Sequence, residues 1–295
     1  MPRRFSKPHL SRVINGDIEE KQDDQSAERP RLDVAATAKY PEYNRSTIQK
    51  FIRSGYISVD AVVVDKPNTL VDLDSDMVLD IPDKEETIDI PTIYEDRHVI
   101  VFDKPAGILS ISKSPDNIEP TVADLLPDPK LLAHRLDRGT SGVIIGAKDA
   151  ATHGYLQRQF QERKVHKVYY CIVVGHPKLP EAVIDLPIAR NLKSPTTFRI
   201  DPNGRNSITE YKVIKSNDKY SLLELRPRTG RTHQIRVHLA YIGTPILGDT
   251  TYGAHEALRI MLHAHSLEIT IPGVEHGERR TFTSPMPEDF ERVFD

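Results

Sequence analysis

The chain is poor in several features that would have set its class at once. One cysteine among 295 residues, Cys171, excludes an internal disulfide and a cysteine-rich zinc site. That usage fits a reducing compartment, and the cytosol is expected. No apolar run is long enough to span a bilayer, so no membrane association is expected. No apolar h-region follows Met1, so a secretory signal is not expected either. No repeat period is visible. The 12 histidines include no H-E-x-x-H string, and His233 and His238, five apart, do not share a helical face. A metal hydrolase therefore has no support, and no metal is expected. Glycoside hydrolysis needs two carboxylates flanking one bond, and only one acid, Asp137, has a distinctive setting.

What is present is a 38% hydrophobic chain, enough for a real core in one large domain or two unequal ones. The net charge of −3 hides an uneven distribution. From Asp60 to Asp96 there are 12 acids and 2 basic residues; from Arg190 to Arg236 there are 11 basic residues and 4 acids. The second stretch suits a polyanion and the first does not; equally, both runs could be solvated surface neutralised within the fold. Residues 1–30 are polar and aperiodic, and read as a disordered tail. Their Arg3, Arg4, Lys7 and Arg12 leave a mitochondrial address open as the alternative to the cytoplasm.

A compact segment is expected over 31–83. Leu32, Ala35, Ala36 and Tyr40 repeat at helical spacing. A second helix, Thr47–Ser54, is cappable by Asn44 or Ser46 and is stopped by Gly55. Ile48, Phe51 and Ile52 form its apolar face, with Arg45, Lys50 and Arg53 largely off it. Two short strands follow around Asp60-Ala61. An acidic linker over 84–91 leads to residues 92–295, where strands dominate: Val99–Asp103, Val143–Lys148, Lys167–Gly175, Ser207–Ile214, Tyr220–Arg226 and Leu262–Thr270. Helices are fewer, at Thr152–Arg163 and Arg231–Ile242. Strands without regular intervening helices predict an α+β fold with a central, mainly antiparallel sheet.

Two strings carry the chemistry. In Ala133-His134-Arg135-Leu136-Asp137-Arg138-Gly139-Thr140-Ser141-Gly142, an acid lies among cations in a loop between apolar runs. Its glycines let the backbone bend or approach a ligand closely. On spacing alone, an acid in a loop is more often a turn residue than a catalyst. In Arg226-Pro227-Arg228-Thr229-Gly230-Arg231-Thr232-His233-Gln234-Ile235-Arg236-Val237-His238, Thr229-Gly230 reads as the start of a helix. Ile235, Leu239 and Ile242 would be buried. Arg231, Gln234 and His238 would face outward, with free N–H groups beside Arg231 for a phosphate or carboxylate. The bland alternative is an amphipathic helix with a basic outer face.

HRLDRGTSG at 134–142 with GVIIGAK following, and RTGRTHQIRVH at 228–238, resemble the two signatures of the RluA/RluD-type pseudouridine synthases. DKPAG at 103–107, KVYY at 167–170, LHA at 262–264 and the stretch from Phe282 to Phe290 are similar to further motifs of that family. RLD at 31–33, NRSTIQKFIRSGYISVD at 44–60 and VVDKPNTLV at 63–71 resemble the S4 RNA-binding domain, which usually has Asn-Gly where this chain has Asp60-Ala61.

The resemblance implies an S4-like domain before a pseudouridine synthase domain that isomerises uridine in structured RNA without a cofactor. Asp137 would be the catalytic carboxylate and Arg231 its partner. Tyr169 would stack on the target base and assist in proton removal. Arg135 would contact RNA, Leu262 would wall the pocket, and Arg45, Lys50 and Arg53 of the S4-like helix would meet phosphates. Large-subunit ribosomal RNA is the first expectation and transfer RNA the second, acted on by a monomer. The rival is an S4-bearing RNA-binding protein that has lost activity; the intact set Asp137, Tyr169 and Arg231 argues against it.

Overall fold

The computed structural model describes residues 29–83, 88–112, 117–254, 257–273 and 277–295. Most of the polar tail, with its four basic residues, and the first half of the expected linker lie outside these. The chain divides into two compact units, at Ile81/Pro82.

The first unit begins with α1 (Leu32–Lys39) and α2 (Arg45–Arg53). Of the two possible caps Asn44 is the one used: its side chain accepts the Thr47 N–H at 3.0 Å. Gly55, at φ +77°, ends the helix in the left-handed region. Ile48, Phe51 and Ile52 are fully buried against Leu32 and Ala36, each contributing roughly 1.5–3 kcal/mol by area. Strands β1 (Ile57–Val59), β2 (Val62–Val63) and β3 (Met77–Leu79) form a sheet in the order β2-β1-β3. Val59 pairs with Val62, so Asp60 and Ala61 form a two-residue hairpin turn, at φ 47° and 64°. That turn normally selects Asn-Gly.

Asp33, in α1, is fully buried. Its carboxylate accepts from Arg31, Arg45 and Gln49, at 2.6–3.2 Å. Arg45, expected to face RNA, is therefore committed to a buried acid. The cause is proximity: α2 places residue 45 over α1, and a buried carboxylate without a partner would be costly.

The second unit is built on β4 (Thr92–Glu95), β5 (Val99–Lys104), β6 (Ser141–Ala147), α3 (Ala150–Gln161), β7 (His166–Val174), β8 (Glu181–Asp185), β9 (Ile188–Arg190), β10 (Phe198–Ile200), β11 (Ile208–Ser216), β12 (Tyr220–Pro227), α4 (Gln234–Tyr241), β13 (Leu262–Ile271), β14 (Glu278–Thr283) and α5 (Glu288–Glu291). A large sheet runs β4-β5-β6-β13-β7-β12-β11-β8, with β14 paired to β13; β9 and β10 form a separate hairpin. Among the described strands only β6 and β13 pair parallel, so the sheet is mainly antiparallel. The last residues of the expected linker belong to this unit: Ile90 is buried in its core, and Pro91 O accepts from Asp103 N–H.

Every residue of β6, SGVIIGA, is buried, as expected for a strand covered on both faces. At its start Gly142 has φ +108°, and a Cβ there would lie 2.2 Å from Ala264 O. Only glycine permits the seam between β6 and β13. One core gathers β5, β6, α3 and the far half of β13; a second gathers β7, β12, α4, α5 and the near half of β13. Tyr169, on β7, packs against both. Among the described residues no helix is long and apolar enough to cross a membrane.

Candidate active site

The loop ahead of β6 is held from below. Leu136 is buried, and Ser110 Oγ both accepts its N–H at 2.9 Å and donates to its carbonyl at 2.7 Å. Lys104 is fully buried, with Nζ donating to Pro105 O and Ile108 O at 2.8 Å and to Arg138 O at 3.3 Å. Burial pushes its ammonium down to about 8. Asp137 follows the anchored Leu136, and its carbonyl accepts from Thr140 N–H. The carboxylate thus stands on a fixed turn, with its side chain 20% exposed.

Around it lies a cavity of about 480 Å³, lined by residues including Arg135, Asp137, Lys167, Tyr169, Arg231 and Leu262. That volume is in the usual range for small-ligand sites. Five chain segments meet here: the loop at 133–140, the end of α3 with Phe160 and Gln161, β7 with Lys167 and Tyr169, the approach to α4, and the start of β13 with Leu262. Burial first, and the charge of Asp137 second, push the Tyr169 phenol well above its usual range. Lys167 donates to Thr229 O at 3.3 Å, and burial pushes it down to about 8. Arg135 is exposed at this cavity and has no hydrogen-bond partner among the described residues.

Arg231 is not the guanidinium beside Asp137. Its Nε donates to Asn206 O at 3.3 Å. The partner of Asp137 is Arg236, whose Nη1 lies 3.4 Å from Oδ2. The reason lies in the local chain. α4 begins at Gln234, not at Arg231, because His233 takes a left-handed φ of 55° and breaks the run. Gln234 then folds back, its Oε1 accepting from Arg231 N–H at 3.0 Å and from Thr229 Oγ1 at 2.6 Å. One of the N–H groups expected to be free for an anion, that of Arg231, is therefore occupied. The helix has no solvated basic face either: Gln234, Arg236 and His238 are buried together with Ile235 and Leu239. His238 is spent on Thr209 Oγ1 and Leu186 O, at 2.9 and 3.0 Å.

Arg236 is fixed by Asp249, with Nε on Oδ2 at 2.7 Å and Nη2 on Oδ1 at 2.9 Å. Burial works to lower its pKa, but the bonds and charge of Asp249 outweigh that and raise it. Tyr252 lies beneath the guanidinium at 5.1 Å. His233 Nε2 is 3.8 Å from Asp137 Oδ2, and its Nδ1 is 2.9 Å from Tyr252 Oη. Arg236 and His233 stand within the second signature, and the resemblance assigns neither a role. Asp249 and Tyr252, in Gly248-Asp249-Thr250-Thr251-Tyr252-Gly253, carried no signal beyond a turn composition. Lys167 stood two residues before Tyr169, on the same strand face.

One carboxylate in a partly enclosed pocket, with a guanidinium on one oxygen and an aromatic ring nearby, is equipped for nucleophilic or proton-transfer chemistry on a planar ligand. Comparison with known proteins gives the family. Residues 98–241 match the family described as RNA pseudouridylate synthase, and residues 30–78 match the S4 domain. An uncharacterized RNA pseudouridine synthase of Aquifex aeolicus is 36% identical over 296 residues, covering 90% of this chain and 93% of that protein. Ribosomal large subunit pseudouridine synthase D of Pseudomonas aeruginosa is 32% identical, covering 88% and 89%. The solved structure of human RNA Pseudouridylate Synthase Domain Containing 4 superposes with a TM-score of 0.56 at 26% identity, covering 69% of this chain and 91% of that one. With relatives of this identity matched over nearly their whole length, the chain belongs to the RNA pseudouridine synthase family, isomerases acting on RNA, and carries the S4 domain ahead of its catalytic region.

Proposed function

We propose that this chain isomerises uridine within large-subunit ribosomal RNA, with transfer RNA as the second choice, and that Asp137 is the catalytic carboxylate. The observation that carries the assignment is the ion pair between Asp137 and Arg236 in the cavity that Tyr169 and Leu262 also line. The ribosomal choice rests on the substrate in the name of the Pseudomonas relative.

The reaction breaks the C1′–N1 bond, turns the uracil, and joins C1′ to C5; C5 then loses a proton and N1 gains one. Nothing is oxidised or hydrolysed, so no cofactor is needed. Asp137 serves either by attacking the sugar carbon or by taking the C2′ proton. The target base must leave its stack, at a cost of a few kcal/mol. Stacking on Tyr169 offsets roughly 1–3 kcal/mol of that. With its phenol held above the usual range, Tyr169 keeps its proton at neutral pH. It offers the base a stacking face, and its assistance in proton removal is part of the same reading. Arg135, at the cavity mouth, meets the RNA backbone, and Leu262 walls the pocket.

The test is Asp137→Asn. The variant is expected to bind RNA nearly as well as the parent and to leave no pseudouridine detectable by chemical labelling. Normal pseudouridine formation would overturn the assignment. Mapping pseudouridines in RNA from cells with and without the gene identifies the target.

A further inference from the structure

His233 is held more firmly than a rim residue needs to be. Its ring meets Phe198 and Tyr252 edge-on, with centroids 5.4 and 5.7 Å away. Its two nitrogens face different partners, Nδ1 toward Tyr252 Oη and Nε2 toward Asp137. The protonation of this ring follows from counting hydrogens. Tyr252 Oη accepts the Phe198 N–H at 2.9 Å. Among the described residues its one other hydrogen-bond partner is His233 Nδ1. Burial holds the Tyr252 phenol above its ordinary range, so the hydroxyl keeps its single proton, and Nδ1 is the acceptor available for it. Nδ1 must then be bare, and a neutral imidazole carries its hydrogen on Nε2.

The charged groups acting on His233 are Asp137, Arg236, Asp249 and Arg135, and Tyr252 bonds it directly. Burial leads, and with the two arginines it outweighs the two carboxylates, so the ring stays neutral. Two N–H groups are thereby aimed at the same atom: Arg236 Nη1 at 3.4 Å and His233 Nε2 at 3.8 Å from Asp137 Oδ2. Among the described residues no donor reaches Oδ1.

We propose that Tyr252 fixes His233 as the neutral Nε2–H tautomer, and that His233 is a positioning residue which, with Arg236, holds Oδ2 of Asp137 so that Oδ1 is the oxygen presented to the substrate. This rests on the reading of Asp137 as the catalytic carboxylate. At 3.8 Å the His233 N–H lies just beyond hydrogen-bond length and acts on Oδ2 as a fixed dipole.

The experiment uses the full chain labelled with 15N-histidine, and total RNA from cells lacking the gene, which contains the target whichever RNA it is. Long-range 1H–15N spectra should show the His233 ring neutral at pH 7 with its hydrogen on Nε2, and Tyr252→Phe should abolish that preference. His233→Gln and His233→Met have similar length and share the strain of the left-handed backbone, but only glutamine keeps an N–H at the tip. Single-turnover rates should fall at least about tenfold for His233→Met at unchanged RNA affinity, and stay within about threefold for His233→Gln. A ring bearing its hydrogen on Nδ1, an imidazolium at pH 7, or equal rates for the methionine and glutamine variants would overturn the proposal. If His233→Met does not fold, the spectrum of the parent still decides the tautomer. An active Asp137→Asn would instead sink the underlying reading while leaving the tautomer standing as measured.

Discussion

Asp249 grips two nitrogens of Arg236 and leaves the third, Nη1, turned toward Asp137. Both members of that grip are buried, so its loss is not a surface event. Asp249→Ala is expected to destabilise the catalytic unit by about 3–5 kcal/mol, because a guanidinium is left buried without its partner. Arg236→Lys keeps the charge but cannot serve two carboxylates with one fork. Its turnover should fall about a hundredfold, a loss of roughly 2.7 kcal/mol, with RNA affinity little changed. Denaturant titration and single-turnover assays check the two outcomes; full activity in Arg236→Lys would contradict the pairing.

The S4 helix requires different probes from those its sequence suggests. Arg45→Glu should unfold or loosen the first unit, because it sets a second acid beside buried Asp33. Lys50→Glu with Arg53→Glu should leave the fold intact, weaken RNA binding, and reduce the slope of log affinity against log salt by about 0.7–0.9 for each phosphate no longer neutralised. An unchanged slope would mean that these two residues do not meet RNA.

The same acid makes the first unit sensitive to pH. Burial alone would raise the Asp33 pKa, but the bonds from Gln49, Arg31 and Arg45 lower it overall. A carboxylate depressed in the folded state contributes stability above its unfolded pKa of about 3.9, and that contribution is lost as pH falls through the folded value. Acid titration of the unit should show this component, and Asp33→Asn should remove it while lowering stability at neutral pH.

Ala61 occupies a left-handed turn position that costs a non-glycine residue about 1–2 kcal/mol. Ala61→Gly should therefore stabilise the first unit by about 1 kcal/mol, after the entropy that glycine adds to the unfolded chain. Chemical denaturation of the two proteins decides it, and an unchanged or lower midpoint would show that the turn is not strained.

Much of the architecture was legible in the residues. Apolar periodicity marked α1 and α2, and the Val/Ile-rich runs marked β5, β6, β7, β11, β12 and β13. Six strands escaped notice, β3, β4, β8, β9, β10 and β14, and three show why. β14, ERRTFT, is charged and lies at an edge, and β8, EAVID, is largely exposed. β3 is three residues long in an acidic stretch. At the site, the string around Asp137 drew attention to the cavity, but the partner within the second string was misassigned. Arg231 and Arg236 stand five positions apart, and which one turns inward depends on where α4 begins. That start is set by the left-handed His233 and by Gln234 bending back, neither of which periodicity reports. Asp249 and Tyr252 come from a turn that is distant in sequence and brought close only by the fold.

The glycine seam at position 142 bears on how such chains should be judged. The cavity needs the 133–140 loop and β13 at a fixed spacing, and that spacing is guaranteed by the lack of any side chain at one backbone position. An allele with alanine there keeps every reactive group, yet must part the seam by about an ångström and strain its backbone, and is expected to turn over nothing. An inventory of intact reactive side chains is therefore an incomplete certificate of activity, and genotype surveys should weigh residue 142 beside residue 137.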